Sequence, residues 1–488
     1  MTSSSTDTNR WIALVVLCTG MLMIVLDQTI VNVALPNIQR DLGFSQSSLQ
    51  WVVNAYLIAF GGLLMLAGRL GDLLGRRRMF LLGLVIFTSA SAVCGLAQDQ
   101  AMLIVARFIQ GAGGALTSAV ILGVIVTMFP EPREQGKAIG VFSFVASAGA
   151  SIGLLGGGVL TQALNWHWIF FVNLPIGAAT LVLASRLVPR DIGIGLDKGA
   201  DAPGAALITG ALMLAVYAIV QTSTHGWGSA ETMILLAVAI GLLAAFIVRE
   251  SRAATPLVPL RVFRSPIVAG ANAVQALMVA GIFGMFFLGA VYMQRVLGYR
   301  PLDVGLAFLP LAVAIGVFSL QITPRLNMRF GARATLLPGL ALIAAGLVIF
   351  ALAPLHAGYL SNLLVVMVLI GVGAGLGFPS LMTAAMSGAT AQDSGLASGL
   401  VNTSMQVGGA LGLAVLDTLS TSRLHSMQAS GHSYATSLTS GFHLALAIGA
   451  ALVVVSMGIA TATLGRRPAT VADVEAFPEA EAAYSQAA

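Results

Sequence analysis

Apolar residues fall in long blocks along the chain, separated by short stretches rich in charge, proline or glycine. A membrane helix needs about 20 consecutive apolar residues. Counting such blocks predicts fourteen spans, at roughly 11–35, 49–68, 79–97, 101–127, 137–162, 168–187, 203–221, 231–248, 267–292, 304–322, 334–353, 361–386, 394–419 and 442–464. The opening "MTSSSTDTNR" is polar without a basic stretch, and no small-residue cleavage site follows the first apolar run. Span one is therefore expected to stay in the protein rather than to be removed as a leader. The closing "ADVEAFPEAEAAYSQAA" is small and acidic, the composition of a disordered tail.

Composition agrees with this pattern. The chain has 488 residues, 57% hydrophobic and 9% charged, where a soluble chain carries roughly 25% charged residues. Most of it cannot face water, so an all-α polytopic membrane protein is expected. The 24 Lys and Arg fix its orientation. With both termini cytoplasmic, nineteen of them fall on the inside, only Arg40, Arg295, Arg300 and Arg423 fall outside, and Arg107 alone lies within a span. That bias follows the positive-inside rule and requires an even span count in a cell membrane. The net charge of +5 thus reflects topology, not binding of nucleic acid. Cys18 and Cys94 both sit in apolar runs, so neither a disulfide nor a cysteine metal site is expected. All six histidines fall at or near the outer side, where neutral imidazole escapes the charge rule; sensing of outside pH is the alternative.

Two basic turns suggest a duplication. "GRLGDLLGRRRMF" (68–80) joins spans two and three, and "PRLNMRFGARATL" (324–336) joins spans ten and eleven. Aligning Gly75 with Gly331 also matches Arg69 with Arg325, Leu70 with Leu326 and Arg77 with Arg333, although Met328 stands where the first copy has Asp72. The expected organisation is a tail over 1–10, a six-helix bundle over 11–190, two inserted helices with linkers over 191–265, a second six-helix bundle over 266–464 and a disordered cytoplasmic tail over 465–488. Such repeats let transporters build two states around one central site.

One carboxylate stands in the middle of an apolar run. In "GMLMIVLDQTIVNVALP" (20–36), Asp27 lies roughly 24 Å above the inner start of span one. Arg107 in span four lies roughly 9 Å below the outer boundary, at nearly the same height. No other ionisable residue falls well inside a predicted span. An acid and a base at matching depth offset each other's desolvation cost if their faces meet. Packing alone is one reading; the other is a carboxyl that alternately takes a proton or a cationic substrate, since intramembrane acids commonly mark such sites. Asp417 is read at the outer interface, as a solvated helix end or else a secondary proton or cation site. Gly149, Gly153 and Gly157, with Gly158 beside them, make a bare face on span five for close packing or for gating. "NWHWIFFVNLP" (165–175) reads as an outer aromatic belt containing Trp166 and Trp168.

Together these stretches resemble the major facilitator superfamily and, within it, the fourteen-span drug:proton antiporters, over nearly the whole chain. "LDQTIVNVALP" (26–36), which includes Asn32, resembles that family's span-one signature. "GRLGDLLGRRRMF" is similar to the superfamily loop motif, with Gly68, Asp72, Gly75, Arg76 and Arg77 in place. "LIVARFIQGAGGA" (103–115) resembles the span-four motif around Arg107, and "GLLGGGVLTQ" (153–162) the span-five antiporter motif. The resemblance implies two six-helix bundles plus two inserted spans, with Asp27 and Arg107 serving proton coupling and substrate binding. It also implies that the Asp72 loop holds the halves together on the cytoplasmic side while the outer side is open. A carboxylate at a helix N-terminus, such as that of span thirteen behind Asp393, gains about 0.3–1 kcal/mol. Two departures stand out: Leu154 replaces the motif proline, and His167 replaces an arginine of the outer aromatic stretch, which could make outer gating depend on pH.

The expected function is proton-coupled efflux of small amphipathic, cationic or neutral drugs or antibiotics by alternating access. The chain is expected to act as a monomer, without cofactor, metal or nucleic acid, and driven by the proton gradient. The alternative on the same fold is a proton-coupled uptake symporter of a small metabolite; a transport-dead membrane sensor or scaffold is a further rival. No HExxH, GxSxG or Walker loop appears, so neither an enzyme nor direct ATP drive is expected.

Overall fold

The computed structural model describes residues 3–191, 193, 195, 201–253, 256–258, 260–354, 358–388 and 394–464; within a few helices, chiefly at 135–154 and 394–398, some side chains are left out. The expected tail at 465–488 and Asp393 lie outside the described residues, and so does the Leu154 side chain.

Long helices make up the molecule: α1 (Ser3–Leu42), α2 (Trp51–Leu74), α3 (Arg76–Gly95), α4 (Gln100–Met128), α5 (Pro132–Ala163), α6 (Asn173–Leu187) and α7 (Ala202–His225). They continue with α8 (Ala230–Arg252), α9 (Pro266–Arg295), α10 (Pro301–Phe330), α11 (Ala332–Ala351), α12 (Tyr359–Ser387), α13 (Ser394–Ala429) and α14 (Tyr434–Thr463). Among the described residues thirteen of these are long and apolar enough to span a bilayer, and α5, at 32 residues, is the fourteenth. Several are longer than their apolar runs. Helix α1 is already formed at Ser3 and runs through Pro36 to Leu42, and α13 continues to Ala429. Single turns of π-helix at Phe318–Ile322 and Tyr359–Leu363 interrupt α10 and α12.

Helices α1–α6 pack mainly among themselves, and so do α9–α14; the two groups meet where α5 lies against α10 and α2 against α13. Helix α7 lies on α2 and α13, while α8 packs on α7. Burial follows this arrangement. The most apolar window of α9 is 78% buried and that of α8 only 17%, so α9 forms the centre and α8 presents Ile234, Val238 and Ile240 outward. At the face away from the N-terminus the halves are tied by polar contacts: Gln294 donates to the Val33 carbonyl (2.9 Å), Arg295 to Gln39 (2.9 Å), and the Leu302 N–H to Gln162 (3.3 Å).

The two basic turns have one backbone shape. Gly75 and Gly331 both hold positive φ, 101° and 86°, a region that only glycine enters freely. Each caps the preceding helix and starts the next, its N–H donating to Gly71 or Asn327 respectively. Arg77 donates to the Ser185 carbonyl at the end of α6, and Arg333 donates to the Leu464 carbonyl just past α14. The sequence alignment thus matches residues that do the same work, binding a basic turn to the last helix of its own half.

Candidate functional site

Asp27 and Arg107 are in contact. Arg107 NH1 lies 2.5 Å from Asp27 Oδ2, with side chains 1% and 0% exposed. The guanidinium also donates to the Val52 carbonyl (2.9 Å) and to Gln110 Oε1 (2.7 Å). Its plane lies over Tyr56, 4.4 Å from the ring centroid, with Phe170 at 5.7 Å. Asp27 Oδ1 accepts from Gln110 Nε2 (2.8 Å) and Asn173 Nδ2 (3.0 Å), and both amides also reach Ser91 Oγ. Ser91 in turn donates to the Phe170 carbonyl (2.9 Å). Three side-chain donors converge on one carboxylate, an arrangement that suits its acceptor-only, ionised form.

The local sequence explains how these groups meet. Gln110 follows Arg107 by three residues and so shares its helix face. Asn173 opens α6 directly beneath the aromatic stretch, and Ser91 lies one turn from the end of α3. Gln110, Asn173 and Ser91 do not emerge from a search for charge in apolar runs; the Arg107–Gln110 spacing and the lone amide in "FFVNLP" were the available cues. All donors to Asp27 come from the first bundle, and none of them from α9–α14.

The other candidates spread out. Asn32 bonds only its own helix, at the Gln28 and Thr29 carbonyls (both 3.3 Å). Asp72 pairs with Arg76 of its own turn (3.0 Å), and Arg76 also donates to the Gly123 carbonyl (3.0 Å). The backbone N–H groups of Arg76 and Arg77 are capped by Asp191 (2.5 and 3.1 Å), a carboxylate that sequence reading missed. A side chain at Gly68 would meet open space. The span-five face packs α5 on α1: a Cβ at Gly149 would touch Val25, one at Gly153 would strike Thr29 and Leu26, and one at Gly157 would strike Ile30. Gly158 instead faces Pro301 and Leu302 of the second half. His167 stacks on Trp166 (3.8 Å), and its ring contacts the Gly95 carbonyl (2.9 Å) and Asp41 (3.6 Å).

Two expectations need correction. Asp417 is not a solvated helix end: it is 0% exposed, because α13 continues twelve residues beyond it rather than stopping at 419. Trp166 is not a lipid-facing belt residue; it is buried and donates to Asp41 (2.8 Å), whereas Trp168 is exposed.

The model of the Major Facilitator Superfamily matches residues 17–413. The chain belongs to that superfamily. It is therefore a multi-pass membrane transporter for small molecules rather than an enzyme. It is 42% identical over 417 residues to the puromycin resistance protein pur8 of Streptomyces alboniger, covering 85% of this chain and 82% of that one. It is 42% identical to the cephamycin export protein CmcT of Amycolatopsis lactamdurans (83% and 84% covered). A multidrug resistance protein, Stp, of Mycobacterium tuberculosis is 36% identical (82% and 74% covered). Among solved structures, an inward-facing bacterial homologue of the lysosomal transporter Spinster superposes with TM-score 0.67 at 16% identity, covering 93% of this chain and 97% of that one. That likeness speaks to the fold alone.

Proposed function

We propose that this chain is a proton-coupled exporter of small amphipathic organic compounds, cationic or neutral, of the antibiotic or drug class, working by alternating access. The reading rests on the sealed Asp27–Arg107 pair. Arg107 joins α1 through Asp27, α2 through the Val52 carbonyl, and α4 through its own backbone. A proton on Asp27 cancels the charge that neutralises this buried guanidinium, and leaving one member of such a pair alone costs about 3–5 kcal/mol. The three-helix junction then favours another packing, and Asp27 becomes the switch of a two-state element. Because every donor to Asp27 belongs to the first bundle, the proton acts by repacking that bundle, not by direct exchange with cargo at the carboxylate. The cycle follows: an outside proton loads Asp27, the molecule turns inward, the proton leaves as substrate binds, and the return step expels substrate.

The basic face carrying the termini is cytoplasmic, as the positive-inside rule requires. On that face the described partners of the Asp72–Arg76 turn, Gly123 and Asp191, lie outside the second half, so its hold on the second half belongs to the outward-open state of the cycle. Relatives named for resistance to or export of puromycin and cephamycin favour export over the uptake alternative, and cellular dye accumulation separates the two: an exporter lowers it. The decisive assay is substrate-triggered proton movement in reconstituted vesicles, screened over cationic dyes and antibiotics. Coupled release on substrate addition is expected; substrate transport with no proton movement in either direction would reject the coupling.

A further inference from the structure

A pair of acids lies at one end of the inserted helices, outside the Asp27 network. Asp201 caps α7, its Oδ1 accepting from the Gly204 N–H (2.9 Å) and from Arg249 Nε (2.6 Å). Glu250, in the last turn of α8, accepts through Oε2 from the Val258 N–H (2.9 Å). Both residues are 3% exposed. Among the described residues, their remaining oxygens, Asp201 Oδ2 and Glu250 Oε1, have no hydrogen-bond partner. Both point at the bare face of Gly204, where a Cβ would stand 2.6 Å from the first and 2.9 Å from the second. Two buried carboxylate oxygens thus face the same side of Gly204.

Two ionised carboxylates in that position repel, and each leaves lone pairs unmet. One proton resolves both problems, because the protonated acid donates to its neighbour. Arg249 holds the negative charge on Asp201, so the proton belongs on Glu250. A divalent cation fits poorly: calcium and magnesium want six or more oxygens, two are offered, and a guanidinium already sits on one carboxylate. Among the described residues, the other charged groups on the surrounding elements are Arg252 near this end of α8, Arg261 and Arg264 of the following linker, Arg69 and Asp72 at the end of α2, Glu231 at the far end of α8, and Asp417, Arg423 and His425 towards the far end of α13, which also packs on α7.

We propose that Asp201 and Glu250 form a second proton-binding site, sharing one proton between Asp201 Oδ2 and Glu250 Oε1. This proton clamps the N-cap of α7 and the end of α8 to the linker at Val258 that leads into α9. Losing the proton sets two negative charges against each other and frees the linker. The site is independent of Asp27, so the two can fail separately.

The test is infrared absorption of protonated carboxyls in the full-length protein in lipid nanodiscs, titrated from mildly acidic to alkaline pH. A band that weakens as the pH is raised is expected in the wild type. The component from this pair should persist in Asp27→Asn and be lost in Glu250→Gln. Retention of the whole band in Glu250→Gln, or its loss on adding calcium or magnesium at neutral pH, would overturn the proposal. The wild type alone supplies a second readout. Hydrogen exchange of residues 256–262, corrected for intrinsic pH dependence, should rise severalfold as the band weakens; unchanged exchange would overturn the clamp.

Discussion

The two halves share a chain path and a basic turn, but their corresponding interiors are filled by opposite chemistry. Between α1, α3, α4 and α6 lies a polar knot of Asp27, Ser91, Arg107, Gln110 and Asn173. Between α9, α11 and α14 lies an aromatic stack. Tyr292 lies flat on Phe442 at 4.6 Å, and Phe350 meets Phe442 edge-on at 4.8 Å. Tyr292 satisfies its hydroxyl on the Pro354 carbonyl (2.8 Å). Packed aromatics have one good arrangement and no charge to gain or lose. The knot has a carboxylate whose protonation changes every bond around it. On the proposed mechanism, the same scaffold yields a switch in one half and an uncharged, aromatic counterpart in the other.

Substitutions can break that contrast, and the largest effect is expected at the cation. Arg107→Ala should abolish gradient-driven efflux, measured as dye export from energised vesicles, and Arg107→Lys should restore only part of it. An ammonium cannot hold Asp27, Gln110 and the Val52 carbonyl in one planar fork. Gln110→Leu comes next, with efflux reduced roughly tenfold or more, because it loses two charge-assisted bonds, one to Asp27 and one from Arg107, each worth about 1.5–3 kcal/mol. Asn173→Ala should follow with a smaller loss of efflux. It removes one of the three side-chain donors to the Asp27 carboxylate, so efflux should fall less than in Gln110→Leu; an effect as large as that of Arg107→Ala would count against the ranking. Tyr292→Phe should be smallest. It loses about 0.5–1.5 kcal/mol of stability, read as a lowered melting temperature in detergent, with efflux within about twofold of wild type. A Tyr292→Phe variant as defective in coupling as Gln110→Leu would erase the distinction between the halves.

Most of the fold was legible because hydrophobic run length reports where lipid begins and ends. It reports less well where a helix ends. The polar continuations "STSRLHSMQA" on α13 and "NIQRDL" on α1 stay helical past their apolar runs, and that misplaced Asp417. Asp27 and Arg107 stood out because charge in an apolar block is rare and costly. Their amide and hydroxyl partners did not, since a lone Gln, Asn or Ser carries little penalty until its neighbours are known. The Asp201–Glu250 pair escaped for another reason: the two acids sit 49 residues apart, at helix ends where acids are ordinary, and only packing of α8 on α7 reveals that they face each other.

Asp27 is the group proposed to carry the proton. The most direct measurement compares wild type and Asp27→Asn in inverted vesicles, following substrate accumulation under an imposed proton gradient, with the amount of inserted protein matched. Asparagine keeps the shape but cannot exchange a proton, so accumulation should fall to background while the protein still inserts. Undiminished gradient-driven accumulation in that variant would contradict the mechanism.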